Sequence, residues 1–206
     1  MVERQLRRRG IGDERVLAAM ESVPREEFVP APLRHRAYAD SALSIEEGQT
    51  ISQPWIVAAI CQAMQLSGSE LVLEVGTGSG YSAAVLSLLA SHVVSIERHE
   101  ALSSAAARVL GSLGIANVEL VVGDGTLGVP GRAPFDAIAV HATAPAPPPA
   151  LLDQLAEGGR LVIPIASSGE ADVLTVLQRQ GDEVTRETIG PCRFVPLIGE
   201  EGFSAG

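Results

Sequence analysis

The sequence predicts an α/β fold, a doubly wound, mostly parallel sheet with helices on both faces. Three observations carry this. Short apolar runs alternate with segments of helical periodicity, a glycine-rich turn joins the first run of that series to the helix after it, and the alternation gives way to β-rich stretches near the end. Strands alternating with helices imply βαβ units, whose crossovers make neighbouring strands parallel. At 206 residues the chain has room for one such domain with a sizeable core, and too little for two and a linker. We read residues 1–69 as an N-terminal helical and loop extension, 70–166 as the core, and 167–206 as C-terminal antiparallel edge strands.

From Asp13 to Ser22, Val16, Leu17 and Met20 recur at helical spacing, and Asp13 is placed to cap the start. Pro24 ends that helix. The stretch from Arg25 to Gln53 is irregular, and a loop this long in a compact domain suits a lid or a substrate wall. Pro54 fits the first turn of a helix whose buried face carries Ile56, Val57, Ile60, Cys61 and Met64. The core then reads as strand Leu71–Val75, helix Tyr81–Leu89, strand Val93–Ile96, helix Glu100–Leu113, strand Val118–Val122, strand Phe135–Val140, helix Leu151–Ala156 and strand Leu161–Ile165. Val173–Gln178 and Val184–Thr188 resemble a hairpin turning at Gly181 and Asp182, and Cys192–Ile198 reads as one more edge strand. The Ala/Pro stretch from Ala142 to Ala150 follows a strand, where active-site loops of open sheets lie.

Composition removes several function classes. The formal net charge is -10 and no lysine occurs, which excludes a lysine Schiff base or a phosphate-cradling lysine. The acidic balance argues against nucleic acid as the main partner. Arg7, Arg8 and Arg9 are the one basic cluster, read chiefly as a solvated helix face. Cys61 and Cys192 read as buried free thiols, no ligand spacing suggests a metal, and no apolar run is long enough to span a membrane. The default expectation is a cytoplasmic monomer.

The strip Glu74-Val75-Gly76-Thr77-Gly78-Ser79-Gly80-Tyr81 joins a strand to a helix. Its glycines permit a tight turn and let a ligand approach backbone with no Cβ in the way. The GxGxG spacing differs from the GxGxxG of dinucleotide sites. Glu97, followed by Arg98, ends the second core strand, where an acid can accept from both hydroxyls of a ribose. Asp124, between Gly123 and Gly125 after the third, is placed to accept from an exocyclic amine.

Three such sites at successive strand ends resemble the class I S-adenosylmethionine methyltransferases. Gly48-Gln49-Thr50-Ile51-Ser52-Gln53-Pro54 narrows the resemblance, together with Val23-Pro24-Arg25-Glu26, Phe28-Val29-Pro30, Ala133-Pro134-Phe135-Asp136 and Arg193-Phe194-Val195-Pro196-Leu197. Over almost the whole chain these segments are similar to protein-L-isoaspartate O-methyltransferases. The resemblance implies methyl transfer from S-adenosylmethionine, leaving S-adenosylhomocysteine, to the α-carboxylate of isoaspartyl residues in damaged peptides and proteins. The ester closes to a succinimide, and hydrolysis returns part of it to aspartate. It implies cofactor contacts from Glu74, Gly76, Thr77, Gly78, Ser79, Gly80, Tyr81, Glu97, Arg98, Asp124 and Gly125. It also implies Ser52 as the active-site residue, with Thr50, Ile51, Gln53, Pro54, Val195, Pro196 and Leu197 shaping the substrate surface.

Ser52 also reads as a helix cap ahead of Pro54, and the two roles are compatible. His141 reads either as a base at the rim or as a loop residue, and Trp55 as groove or packing. The chain departs from the family in Ser44-Ile45-Glu46-Glu47, where Pro-Ile-Gly is common, and in His141, where small residues are usual. Three other readings stay open. One is a carboxyl methyltransferase that acts on a normal aspartate of a dedicated peptide to form an aspartimide. A base methyltransferase is disfavoured, because Val140-His141-Ala142-Thr143 stands where the Asn/Asp-Pro-Pro-aromatic tetrad belongs. The last is a cofactor-binding module without turnover.

Overall fold

The computed structural model describes residues 1–169, 171–181 and 183–204. Helix α1 (Glu14–Ser22) starts where the Asp13 carboxylate accepts from the backbone N–H groups of Arg15 and Val16, and it ends at Val23, just before Pro24. Arg25 to Gln53 folds as short 3-10 turns and a small ladder, strand β1 (Leu43–Ser44) against β2 (Thr50–Ile51). Helix α2 (Pro54–Met64) follows with proline in its first turn, where a missing N–H costs nothing. Its Ile56, Val57, Ile60, Cys61 and Met64 are all buried, as their spacing requires.

The core is one seven-stranded sheet. Its elements in chain order are β3 (Leu71–Val75), α3 (Tyr81–Ser87), β4 (His92–Glu97), α4 (Glu100–Ser112), β5 (Val118–Val122), β6 (Phe135–Val140), α5 (Pro149–Asp153), β7 (Leu155–Ile165), β8 (Asp172–Gln180) and β9 (Glu183–Cys192). The spatial order is β5-β4-β3-β6-β7-β8-β9. β5 through β7 are mutually parallel, and β8 and β9 add antiparallel at one edge. The central parallel strands are buried on both faces, so they read as continuous apolar runs. Alternate side chains feed two cores. Val72, Val93 and Ala137 pack with α1, α2 and α3 on one face, while Leu73, Val94 and Ile138 pack with Leu151 of α5 on the other.

Three expectations are corrected. The helix expected at Leu151–Ala156 lies at Pro149–Asp153, and Leu155 opens β7 opposite Phe135. Leu151 and Leu155 enter the same core from two different elements, which mimics helical spacing. The strand expected at Cys192–Ile198 is absent as such: Cys192 closes β9, and the next residues make single bridges, Pro196 beside Thr143 and Ile198 beside Phe203. Pro196 has no N–H to extend a ladder. The helix expected to reach Leu89 ends at Ser87 in tightened turns, in which Leu88 N–H bonds Val85 and Leu89 N–H bonds Leu86. In the β8–β9 hairpin Gly181 turns with a left-handed φ of +61°, and Asp182 lies outside the described residues. No helix among the described residues is long and apolar enough to cross a membrane.

Candidate active site

β3 and β6 are neighbours, yet the chain visits β4 and β5 between them, so the strand order reverses here. Such a reversal opens a crevice beyond the carboxyl ends of the strands. A cavity of about 230 Å³ fills it.

The glycine turn forms its floor. Gly76, Thr77, Gly78, Ser79 and Tyr81 line the cavity. Gly76 and Gly78 take φ of +95° and +53°, a region open to glycine and strained for other residues. Gly80, at φ +87°, faces elsewhere: a Cβ there would stand 3.0 Å from Ala106 of α4, so this glycine serves helix packing. The Tyr81 ring is committed to the core, edge-on to Phe28 and under the guanidinium of Arg25. Burial pushes its hydroxyl up to about 12.

Glu97 closes β4 at the cavity edge, where its carboxylate accepts from Gly78 N–H at 2.9 Å and His99 N–H at 3.0 Å. Arg98 and Gly125 line the same side. Asp124 does not. Its carboxylate accepts from Thr126 N–H and hydroxyl at 2.9 and 2.7 Å and from Glu200 N–H at 2.8 Å. Partial burial pushes this carboxyl up, but the donors outweigh it and hold the pKa below the ordinary value. The acid expected to meet an amine therefore fastens the C-terminal segment.

Glu74 also lies off the cavity, fully buried beneath the floor. It accepts from the Ser95 hydroxyl at 2.5 Å, and Ser95 Oγ is 2.6 Å from Thr77 Oγ1. His141 lines the cavity, with Nε2 2.8 Å from Ser82 Oγ and 3.4 Å from Glu74 Oε1. Sequence reasoning missed Ser82 and Ser95. The available signal was Glu74 itself, since a carboxylate in a doubly buried strand requires polar partners.

The opposite wall is Thr50, Ile51 and Ser52, closed by Val195, Pro196 and Leu197. The last three hang on Thr143, whose N–H donates to Val195 O and whose carbonyl accepts from Leu197 N–H, at 2.8 and 2.7 Å. The residue capping α2 is Gln53, with no side-chain cap bond, so the capping reading of Ser52 is not realised. The Ser52 carbonyl accepts from Arg25 Nη2 at 2.7 Å. Ile45, between β1 and the turn at Glu46–Gly48, reaches to 3.7 Å from where a Cβ on Gly78 would stand.

A second cavity of about 480 Å³ adjoins the first, sharing Thr50, Ser52, Phe194 and Val195. Gln53 and Trp55 line this one, and Pro54 lines neither. Arg9 stacks 4.6 Å over the Trp55 ring and pairs with Asp40 at 3.0 Å, while Arg7 pairs with Glu3 and Glu14. The basic cluster is thus largely matched by carboxylates. Cys192 borders the second cavity and Cys61 is buried in α2; both are free, and burial raises both, Cys192 to about 11. No cluster of potential metal ligands occurs among the described residues.

The family model for protein-L-isoaspartate(D-aspartate) O-methyltransferase matches residues 1–202. The chain is 52% identical over 204 residues to the protein-L-isoaspartate O-methyltransferase of Koribacter versatilis, covering 99% of this chain and 91% of that one. It is 54% identical over 204 residues to protein-L-isoaspartate O-methyltransferase 2 of Pelobacter propionicus, covering 98% and 91%. A solved protein-L-isoaspartate O-methyltransferase superposes with a TM-score of 0.86 at 32% identity, over 98% of this chain and 67% of that one. The Plasmodium falciparum relative, solved in complex with S-adenosyl-L-homocysteine, gives 0.80 at 26%, over 96% of both chains. Sequence and fold agree over nearly the full length, and the chain belongs to the protein-L-isoaspartate(D-aspartate) O-methyltransferase family.

Proposed function

We propose that this enzyme methylates the α-carboxylate of L-isoaspartyl residues in damaged proteins and peptides, with S-adenosylmethionine as donor. One observation carries the reading. A single cavity is bounded on one side by the glycine turn and Glu97, and on the other by Thr50–Ser52 and Val195–Leu197, so donor and acceptor surfaces face each other.

The residues present fit the donor. Gly76 and Gly78 offer bare backbone at positive φ, and Glu97 stands at the next strand end, where it can accept from ribose hydroxyls. Thr77, Ser79, Arg98 and Gly125 complete that side, with Tyr81 bracing the turn. Gly80, Glu74 and Asp124 act at one remove, through helix packing, the buried network and the C-terminal segment. When bound, the donor supplies an electrophilic methyl group on a sulfonium.

The acceptor is a carboxylate, already ionised at neutral pH, so no strong base is needed. Catalysis rests on alignment and on excluding water. Ser52 lines both cavities and carries no side-chain hydrogen bond among the described residues, which leaves its hydroxyl to donate to the acceptor oxygen. Thr50, Ile51 and Val195–Leu197 hold the peptide, with Gln53 and Trp55 extending the surface into the second cavity. The chain acts as a cytoplasmic monomer on polypeptides rather than nucleic acids, in keeping with its acidic charge and free thiols.

Mass spectrometry of methyl transfer to matched peptides carrying isoaspartate, aspartate or asparagine at one position tests this. Methylation confined to the isoaspartyl peptide is expected. Methylation of the aspartyl peptide instead would overturn the repair reading in favour of a normal aspartate as acceptor.

A further inference from the structure

Among the described residues, His141 is the imidazole that both borders the cavity and enters a buried polar network. The strand period puts it there. Glu74 of β3 is in register with Ala139 of β6 and with Ser95 of β4, and His141 follows Ala139 by two residues, hence on the same face. That face is covered by α3, from which Ser82 points back.

The Glu74 carboxylate is fully buried and has few partners. Oε2 takes the Ser95 hydroxyl, while Oε1 has no hydrogen bond and sees His141 Nε2 at 3.4 Å. An uncompensated buried carboxylate is costly, and the His141 imidazole is the polar group that faces its unbonded oxygen. The same nitrogen is 2.8 Å from Ser82 Oγ. Ser95, on the other side of Glu74, reaches Thr77 Oγ1 at 2.6 Å. The chain Thr77, Ser95, Glu74, His141, Ser82 therefore ties the start of the glycine turn to the first turn of the helix that follows it. In a buried setting polar links are strengthened by the low local dielectric, and an unpaired member is costly, so the Glu74 carboxylate is sensitive to the group that faces its free oxygen.

We infer that His141 is a positioning residue for donor binding: through Glu74 and Ser82 it holds the two ends of the glycine turn in the shape that receives the methyl donor. The inference rests on the activity proposed above. It separates His141 from a general base, since Nε2 is engaged below the floor and a carboxylate acceptor needs no proton removed.

Calorimetric titration with S-adenosylhomocysteine reads the donor site without turnover, and steady-state kinetics with an isoaspartyl peptide adds kcat and the two KM values. His141→Leu is expected to weaken binding about tenfold or more and to raise the donor KM in step, with kcat at saturating donor within about threefold of wild type. His141→Gln, whose amide nitrogen sits as many bonds from Cβ as Nε2, is expected to recover most of the affinity. Should His141→Leu fail to fold, Ser82→Ala carries the test, with about a threefold loss expected. Unchanged affinity in a folded variant overturns the inference, and so does a loss of kcat at unchanged affinity, which would mark a base. Failure of the wild-type protein to bind S-adenosylhomocysteine would overturn the proposed activity and the inference together; binding by wild type with equal binding by the variants would overturn the inference alone.

Discussion

Arg25 donates through Nη2 to the carbonyl oxygen of Ser52 over 2.7 Å, with its guanidinium 4.5 Å over the ring of Tyr81. Its Nε donates to Ala37 O at 2.7 Å, and the side chain is fully buried. One cation thus joins the wall assigned to the acceptor and the residue that ends the glycine turn. Burial disfavours its charge and lowers its pKa, so the group depends on these carbonyls and the ring face for compensation. Arg25→Met leaves both carbonyls without this donor. It is expected to cost about 2–4 kcal/mol in urea unfolding and to lower kcat/KM for the peptide more than donor affinity.

Ser52→Ala separates positioning from capping. Because Gln53 occupies the cap, removing the Ser52 hydroxyl is expected to leave the urea midpoint and donor affinity unchanged. Turnover of an isoaspartyl peptide should fall about tenfold or more, the cost of a lost orienting contact. Wild-type turnover in this variant would leave Ser52 as wall and nothing else.

Gly78 and Gly80 have different work to do. Gly78→Val puts a β-branched residue at φ +53° on the cavity floor and is expected to abolish donor binding by calorimetry. Gly80→Ala instead presses on Ala106, 3.0 Å away, at φ +87°. Its main effect should be a stability loss of about 1–3 kcal/mol, with donor binding retained below the melting transition.

Acid is expected to weaken the fold through carboxylates whose partners lower their pKa, Glu70 and Asp124 among them. Partial burial pushes Glu70 up, but donors from Ser67 and Gly68 outweigh it and bring its pKa from 4.5 to about 2. Asp124 is lowered in the same sense from 3.8. A depressed carboxyl contributes stability that is present above its unfolded pKa and lost as pH falls through the folded one. Stability is therefore expected to decline from about pH 4.5 towards 2, and Glu70→Gln with Asp124→Asn should flatten that decline in urea titrations at several pH values. An equally steep decline in the double variant would assign acid sensitivity to other groups.

The parts of the fold that the sequence announced are those governed by neighbours along the chain. Leu71–Val75 and Phe135–Val140, interior strands of the sheet, end where their runs end, because a parallel strand covered on both faces admits few polar side chains. The glycine turn was legible for a similar reason, since positive φ demands glycine. What stayed hidden depends on residues far apart. Nothing near Asp124 announces that Glu200 will claim its carboxylate, and Leu155 looks helical until Phe135 pairs with it. Arg25 reads as a motif letter, and only folding places it under Ser52 and over Tyr81.

The wall proposed for the acceptor is built from both flanks of the chain, Thr50–Ser52 before the sheet and Val195–Leu197 after it, while the side proposed for the donor comes from the middle. With that division, a substitution in either flank reaches one wall of the cavity and leaves the glycine turn opposite untouched.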